Sequence, residues 1–171
     1  GINDAKEGTL NRYALSLLLI HFLQCGVKPA VLPNLQTLRP KLFDKRIRPE
    51  KLASYRDPDL LDLPSAGERS NLQCVAELPI GFFEYYRQFD FDNLAISVEK
   101  GRYIQRSHFG GEPIVIYEPF DETMNVATAI RDLYHWDQAS FSYRRASRYF
   151  SRSPAKWNLD EFFEVFVSYR K

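Results

Sequence analysis

The sequence predicts a mainly α-helical α+β fold in which a small β-hairpin lies among helices. Apolar residues recur at helical spacing over residues 8–24, 70–89 and 123–151, whereas strand-like alternation is confined to residues 93–117. Thirteen Phe and ten Tyr indicate a core or groove built on aromatic rings. The chain of 171 residues is long enough for one domain with a sizeable core, so we expect a single domain over residues 1–171.

The first predicted helix covers residues 8–24. Thr9 is its expected N-cap, because a short hydroxyl side chain can accept a hydrogen bond from the first turn. Gly26 is the expected stop signal. Apolar side chains on nearly all sides predict a buried central helix. Residues 27–40 contain three prolines and therefore predict no long helix.

Residues 39–69 form a predicted variable charged loop. Basic residues dominate positions 38–56, and acidic residues dominate positions 57–68. Such a run of charge is usually a solvated surface, and contact with nucleic acid is the alternative interpretation.

The second predicted helix begins at Ser70 and Gln73, which have the spacing of a capping box. Pro79 falls inside it and is expected to kink or split it, because proline lacks an N–H donor. Alternating residues around Lys100 and Gly101 then predict the hairpin. Residues 112–117 are one more predicted strand.

A third helix is predicted from residue 123 to residue 151, and a last helix near residues 158–169. In the third helix, Arg144, Arg148 and Arg152 follow at four-residue spacing and therefore share a face.

Composition argues against several classes of function. The net charge of +1 gives no global indication of a nucleic-acid or membrane partner. Cys25 and Cys74 lack CxxC spacing, and neither has a group of histidines beside it, which argues against a metal site. With no signal-like N-terminus, they predict an intracellular protein of cytoplasm or nucleus. The most apolar run, residues 13–23, is too short to span a bilayer, so no membrane association is expected.

Asp90 and Asp92 have the spacing of two carboxylates that hold a pair of Mg²⁺ ions from one strand. Their surroundings do not fit such a site. Phe82 stands where a small residue must leave room for phosphates, and Asn93 stands where an apolar strand residue belongs. We therefore predict that the two aspartates lie in a helix-ending loop. Of the histidines, His21 is expected in the core or on a helix face.

Several stretches in this order resemble the noncanonical poly(A) polymerases and terminal uridylyltransferases. They are GTLNRYALSLLLIHFLQ, VLPNLQ, IGFFEYYRQFDFDNLAISVEKG and IYEPFDETMNVATAI. The resemblance covers about residues 2–150 and concerns the helical central domain with its poly(A)-polymerase-associated segment. It implies the nucleotide-recognition half of an enzyme that adds AMP, UMP or another nucleotide to RNA 3′ ends. The implied ligands are RNA and a nucleoside triphosphate.

The resemblance places the catalytic carboxylates, with their Mg²⁺ or Mn²⁺, in a palm domain that precedes this region. We find no substitute for them in this chain, so we expect no catalytic residue here and no transfer by this chain alone. The alternative hypothesis is an inactive docking module for a protein partner in an RNA-processing complex. Its contact surface would be the aromatic side chains of the last helix, Phe162, Phe163 and Phe166.

The resemblance also assigns a nucleotide site. Tyr13 takes the position of the ring that stacks on the base, and Glu118 and Asp121 flank the Pro-Phe turn whose carboxylates read the base edge. A carboxylate accepts hydrogen bonds from a base amine or amide, and Pro-Phe fixes the turn before binding. Taken without the resemblance, the residues favour a helix cap for Glu118 and a core position for Tyr13.

Four further residues belong to the predicted nucleotide site. Asn11 and Arg12 stand where the family has two serines, the second of which reaches the triphosphate; arginine can bind phosphates bidentately but is much larger. Met124 replaces the histidine of the uridine-selecting members, immediately before Asn125. A thioether cannot donate a hydrogen bond to a base carbonyl, so the base preference stays open.

Predicted RNA contacts lie on the third helix. They are Arg144, Arg145, Arg148 and Arg152. Phosphate binding by these side chains and an ordinary solvated helix face explain the pattern equally well.

Overall fold

The computed structural model of the chain describes residues 9–44, 46–47, 50, 71–106, 110–158 and 160–161. Its helices are α1 (Arg12–His21), α2 (Leu35–Leu38), α3 (Glu77–Gln88) and α4 (Leu133–Phe150). Its strands are β1 (Leu94–Ser97), β2 (Arg102–Gln105), β3 (Tyr117–Glu118) and β4 (Asp121–Asn125). The strands form two separate antiparallel pairs, β1–β2 and β3–β4. The predicted mainly helical α+β fold is therefore confirmed, with a second small sheet added.

The start of α1 differs from the prediction of a Thr9 cap. Asn11 is the N-cap, and its side-chain oxygen accepts a hydrogen bond from the backbone N–H of Ala14 at 2.7 Å. Helical structure continues beyond His21 as a π-helical turn, Phe22–Gly26. The helix is buried on one face only, because Tyr13 and Leu19 are each 47% exposed.

The prediction for the start of α3 is wrong. Gln73 lies in irregular structure, and the helix begins four residues later, at Glu77. Pro79 is the third residue of α3, where a backbone N–H has no partner within the helix. Its missing N–H costs no hydrogen bond there, and the helix is not split, since it continues to Gln88.

The predicted β1–β2 hairpin is confirmed, with Leu94 paired to Gln105 and Ser97 paired to Arg102. Gly101 closes its turn with a φ of +61°, a conformation that L side chains rarely adopt. Asn34 holds the turn from outside, because its amide donates to the carbonyl of Glu99 at 2.8 Å.

Replacing Gly101 with alanine is expected to lower the free energy of unfolding by about 2–3 kcal/mol. The new Cβ would meet the amide nitrogen of Asn34 at 2.5 Å, in addition to the strain of a positive φ. The measurement is urea unfolding followed by circular dichroism. Gly110→Ala is the matched control, since no atom lies within 4 Å of a Cβ there. Equal midpoints for the two variants would contradict this account of the turn.

The segment before α4 also departs from the prediction. Residues 112–116 are irregular apart from a bridge between Ile96 and Ile116. The predicted third helix does not begin near residue 123, because β4 occupies Asp121–Asn125. Helix α4 starts at Leu133, where the carboxylate of Asp132 caps it by accepting from the N–H of His135 at 2.9 Å.

The core lies where α1, α3 and α4 meet the strands, and it is rich in aromatic residues as predicted. Phe22 is 1% exposed and packs edge-on against Phe82, with ring centroids 5.7 Å apart. Tyr143 of α4 packs against Phe83 of α3 at 5.8 Å. This packing holds the π-helical turn after α1 against α3, and α3 against α4.

Some predictions fall outside the described residues. They concern Ser70, most of the charged loop 39–69 and nearly all of the last helix 158–169. Within the parts of the chain that the structure describes, no helix is both long and apolar enough to cross a bilayer.

Candidate functional site

A hydrogen bond joins the two halves of the predicted nucleotide site. The hydroxyl of Tyr13, in the first turn of α1, donates to Oε1 of Glu118 at the end of β3, at 2.9 Å. The two residues are 105 positions apart in the sequence. The fold therefore brings together the ring and the carboxylate that the resemblance assigned to one ligand.

Tyr13 is not a core residue, since 47% of its surface is exposed. Partial burial, followed by the hydrogen bond to Glu118 and the charge of that carboxylate, raises its pKa to about 12. The phenol therefore stays protonated at neutral pH and keeps its role as donor. One edge of the ring is anchored while much of its surface is open to solvent.

The turn between β3 and β4 is organised by its own carboxylates. The second oxygen of Glu118 accepts from the backbone N–H of Phe120 at 2.6 Å, so Glu118 is not a helix cap. Asp121 accepts from the backbone N–H of Thr123 at 3.0 Å and from the Thr123 hydroxyl at 2.6 Å. These contacts fix the orientation of both acidic side chains before any ligand arrives.

The side chain of Asn125 joins the end of β4 to residues 114–116 by hydrogen bonds. Its side chain is 6% exposed. The amide oxygen accepts from the N–H of Ile116 at 2.9 Å and of Ala127 at 3.0 Å. The amide nitrogen donates to the carbonyl of Ile114 at 2.9 Å and to the carboxylate of Glu112. The side chain of Asn125 thus positions the turn.

Asn11 links α1 to the same region. In addition to capping α1, its amide nitrogen donates to the carbonyl of Val126 at 3.1 Å. The neighbouring Arg12 is the first helical residue and is exposed. Met124, on the exposed face of β4, is 54% exposed. Arg12 and Met124 are therefore both accessible from solvent.

Gln36 supports the turn from behind, a role that sequence reasoning missed. Its amide nitrogen donates to the carbonyl of Pro119 at 3.0 Å. A groove of about 640 Å³ lies on this side, between the turn and a wall that includes Pro40, Asp44 and Arg46. Phe120, Asp121 and Phe43 are among the residues that line it. The quoted stretch VLPNLQ contained the signal, because it ends on this glutamine.

The predicted RNA-binding arginines are only partly on one helix face. Arg144 is paired with Asp137 at 2.9 Å, and Arg148 is exposed on the same helix. Arg152 lies beyond the end of α4 and is paired with Glu161, so it does not continue the helical row. Arg145 is half-buried.

Asp90 and Asp92 lie in the loop that follows α3, as predicted. Asp90 accepts hydrogen bonds from the backbone and side chain of Asn93, which lower its pKa. Among the residues described, no group of three His, Cys, Asp or Glu side chains is placed to hold a metal ion.

A protein family and individual known proteins both match this chain, and both are poly(A) polymerases. The family described as "Cid1 family poly A polymerase" matches residues 74–124, from the approach to α3 through β4. "Poly(A) RNA polymerase gld-2" of Caenorhabditis elegans is 39% identical over 118 residues, which are 66% of this chain and 10% of that protein. "Poly(A) RNA polymerase GLD2" of Homo sapiens is 34% identical over 140 residues, which are 80% of this chain and 28% of that protein.

Solved structures also resemble this fold. The "structure of GLD-2/RNP-8 complex" matches with a TM-score of 0.65 and 31% identity, over 96% of this chain and 48% of that one. The Cid1 poly(U) polymerase with MgGTP bound matches with a TM-score of 0.74 and 24% identity, over 95% and 49%. This second similarity concerns the fold alone. The chain spans about half of these structures and under a third of the curated relatives.

Proposed function

Because the chain belongs to the noncanonical poly(A) polymerase and terminal uridylyltransferase family, we propose that it forms the base-recognition domain of an enzyme that adds nucleotides to RNA 3′ ends. The nucleotide we propose is ATP. The observation that carries the proposal is the hydrogen bond between Tyr13 and Glu118, which presents a ring face and a carboxylate side by side.

The chemistry of this pair suits a nucleobase. A base stacked on the exposed face of Tyr13 gains about 1–3 kcal/mol. At the base edge, the carboxylates of Glu118 and Asp121 accept hydrogen bonds from an amine, such as the exocyclic amine of adenine. Both side chains are already held by the turn, so little conformational entropy is lost on binding.

Met124 favours adenine over uracil in this arrangement. A uracil carbonyl needs a hydrogen-bond donor, and a thioether cannot supply one. Adenine presents its amine to the carboxylates and makes no such demand. The curated relatives are poly(A) RNA polymerases, which supports the same choice.

Arg12 is the proposed contact for the triphosphate. It is exposed in the first turn of α1, one residue before Tyr13. A guanidinium group can bind phosphate oxygens bidentately. The divalent metals of the reaction are proposed to be held by a separate palm domain, which also contributes the catalytic carboxylates. The exposed Arg148, with Arg144, Arg145 and Arg152, is proposed to contact the RNA backbone.

The test is a titration of the chain with each of the four nucleoside triphosphates, followed by nitrogen–proton NMR. We expect ATP to shift the amides of Tyr13 and of residues 118–121 and to bind more tightly than UTP. Tyr13→Leu should weaken ATP binding by about five- to 150-fold, because it removes the stacking surface. Tyr13→Phe, which keeps the ring and loses only the donor to Glu118, should retain most of it.

Met124→His tests the base preference separately. The imidazole restores a donor, so the ratio of UTP to ATP affinity should rise. Equal affinity of wild type and Tyr13→Leu for all nucleotides would contradict the proposed site. If no nucleotide shifts these amides, either in this chain or in a chain that also carries the palm domain, the docking module is the better explanation. The similar structure of a GLD-2/RNP-8 complex supports this second candidate function, docking to a protein partner.

A further inference from the structure

The side of α4 that faces away from the core carries exposed aromatic rings. Buried residues of this helix, among them Tyr143 and Ser147, contact α3. Elsewhere on the helix, Tyr134 is 70% exposed and Phe141 is 43% exposed. The ring of Phe141 contacts no other aromatic ring in the described part of the chain. Both rings are therefore open to a ligand that stacks on them.

Two arginines lie on the same side of α4 as these rings. Tyr134, Phe141 and Arg148 are spaced by seven residues, which is two helical turns or roughly 10 Å. Arg145 comes four residues after Phe141, and residues at that spacing are neighbours on a helix surface. Arg148 is exposed and Arg145 is half-buried. Rings and guanidinium groups therefore share one side of the helix.

The charge on this side of α4 is positive and only partly compensated. Asp137 is the only acidic residue in the helix, and Arg144 pairs with it at 2.9 Å. Arg145 and Arg148 form no ion pair in the part of the chain that the structure describes. The sequence has no acidic residue over positions 138–158. The uncompensated charge beside Phe141 is therefore that of two arginines.

We propose that this side of α4 binds single-stranded RNA, with Phe141 stacking on a base and Arg148 contacting a phosphate. The inference rests on the proposed function, because it concerns the RNA to which nucleotides would be added. An exposed ring stacks on any base whose face is free, and a guanidinium group binds phosphate oxygens. The bases of a duplex are stacked on each other and do not reach such a ring. Tyr134 and Arg145 add one ring and one charge to the same surface.

A protein partner fits this surface less well than RNA does. Apolar docking surfaces are contiguous. Here the exposed Asp137 lies between Tyr134 and Phe141, and the exposed Arg144 follows on the other side of Phe141. A polyanion also neutralises the uncompensated arginines, which an apolar partner does not.

The experiment titrates the chain with a single-stranded oligouridylate and with a duplex of oligoadenylate and oligouridylate of the same length. Amide shifts in nitrogen–proton NMR locate binding, and fluorescence anisotropy of labelled RNA gives the affinity. We expect the single strand to shift the amides of residues 134–148. Phe141→Ala should weaken the single strand about fivefold to tenfold and leave the affinity of the duplex unchanged. Arg148→Gln should reduce the slope of log affinity against log salt concentration by about 0.7 for the single strand.

Two exposed residues of β2 provide matched controls. Tyr103 is 52% exposed, and Arg102 is exposed and forms no ion pair with a described residue. Tyr103→Ala and Arg102→Gln should bind the oligouridylate like wild type. Phe141→Ala and Arg148→Gln should unfold at the urea midpoint of wild type, because neither side chain belongs to the core.

Three results would overturn the proposal. The first is RNA binding that neither α4 variant weakens, or no shift of residues 134–148 by the oligouridylate. The second is an equal loss of single-strand and duplex affinity in Phe141→Ala, which would remove the role of stacking. The third is a shift of residues 134–148 when the protein concentration is raised without RNA, which would identify self-association through this side of α4.

A failure of the proposed nucleotide site is read separately. The ATP titration is followed at Tyr13 and residues 118–121, whereas the RNA titration is followed at residues 134–148. Shifts in one region without shifts in the other therefore show which of the two proposals fails.

Discussion

Asn125→Asp is expected to lower the free energy of unfolding by about 3–5 kcal/mol. The two side chains have the same shape, so the effect isolates hydrogen bonding from packing. The amide nitrogen of Asn125 donates to the Ile114 carbonyl and the Glu112 carboxylate, both of which can only accept. A carboxylate in that place sets acceptor against acceptor and buries a charge without a counter-ion. The measurement is urea unfolding at neutral pH.

A matched control is Asn158→Asp. Asn158 is exposed, and its side-chain oxygen accepts from the N–H of Asp160 at 2.8 Å, a bond that aspartate keeps. Its effect should stay within about 0.5 kcal/mol. The destabilisation by Asn125→Asp should also shrink at lower pH, because a protonated carboxyl regains a donor toward Ile114. Similar stabilities for the two variants at neutral pH would show that the hydrogen bonds of Asn125 do not stabilise the turn.

Acidification is expected to destabilise the chain through His21. This imidazole is fully buried, and burial lowers its pKa to about 4. The Tyr86 hydroxyl donates to the Leu18 carbonyl at 2.8 Å, so its oxygen must accept from Nδ1 of His21 at 2.9 Å. Nε2 is then the acceptor that faces the Cys25 thiol at 3.2 Å. The surrounding groups thus hold one neutral tautomer.

The direction of the pH effect follows from this lowered pKa. Above about pH 6.5 the imidazole is neutral in both states and contributes nothing. Between about pH 6.5 and about pH 4, His21 is protonated in the unfolded chain but neutral in the folded chain, because its folded pKa is about 4. The free energy of unfolding should therefore fall by about 2 kcal/mol between about pH 7.5 and about pH 5.

His21→Phe should flatten the pH dependence in this window, whatever its absolute stability. Glu84 does not confuse the result, because hydrogen bonds from Arg87 and Ser147 lower its pKa to about 2. Its stabilisation is present above the ordinary glutamate pKa and is lost only below it. The exposed pair of His135 and Asp132 offers the control, and His135→Gln should leave most of the slope in place. A slope unchanged by His21→Phe would contradict the assignment.

Predictions from the sequence succeeded where a local pattern determines the structure. The hairpin around Gly101 is an example, because glycine supplies the positive φ that the turn requires. For His21 the sequence left two positions open, the core and a helix face, and the side chain is fully buried. The family resemblance also paired Tyr13 with Glu118, which local spacing could not do across 105 positions.

The errors have a common physical cause, which is competition from contacts distant in sequence. Residues 123–132 have helical spacing, but the buried amide of Asn125 binds the backbone at Ile114 and Ile116 and holds β4 extended. Likewise Thr9 and Asn11 are both good caps, and Asn11 prevails because it also reaches Val126. Neither outcome can be inferred from a window of neighbouring residues.

The contact between Asn11 and Val126 has a consequence for how the protein is made. The two residues are 115 positions apart. At a synthesis rate of roughly 5–20 residues per second, α1 emerges about 6–23 s before its partner strand exists. Until Val126 is made, the side-chain amide of Asn11 lacks this acceptor, and the β3–β4 turn beside α1 is incomplete. Premature termination anywhere before residue 125 therefore yields a chain that contains Tyr13 without the completed β3–β4 turn, so the proposed base-recognition site cannot form.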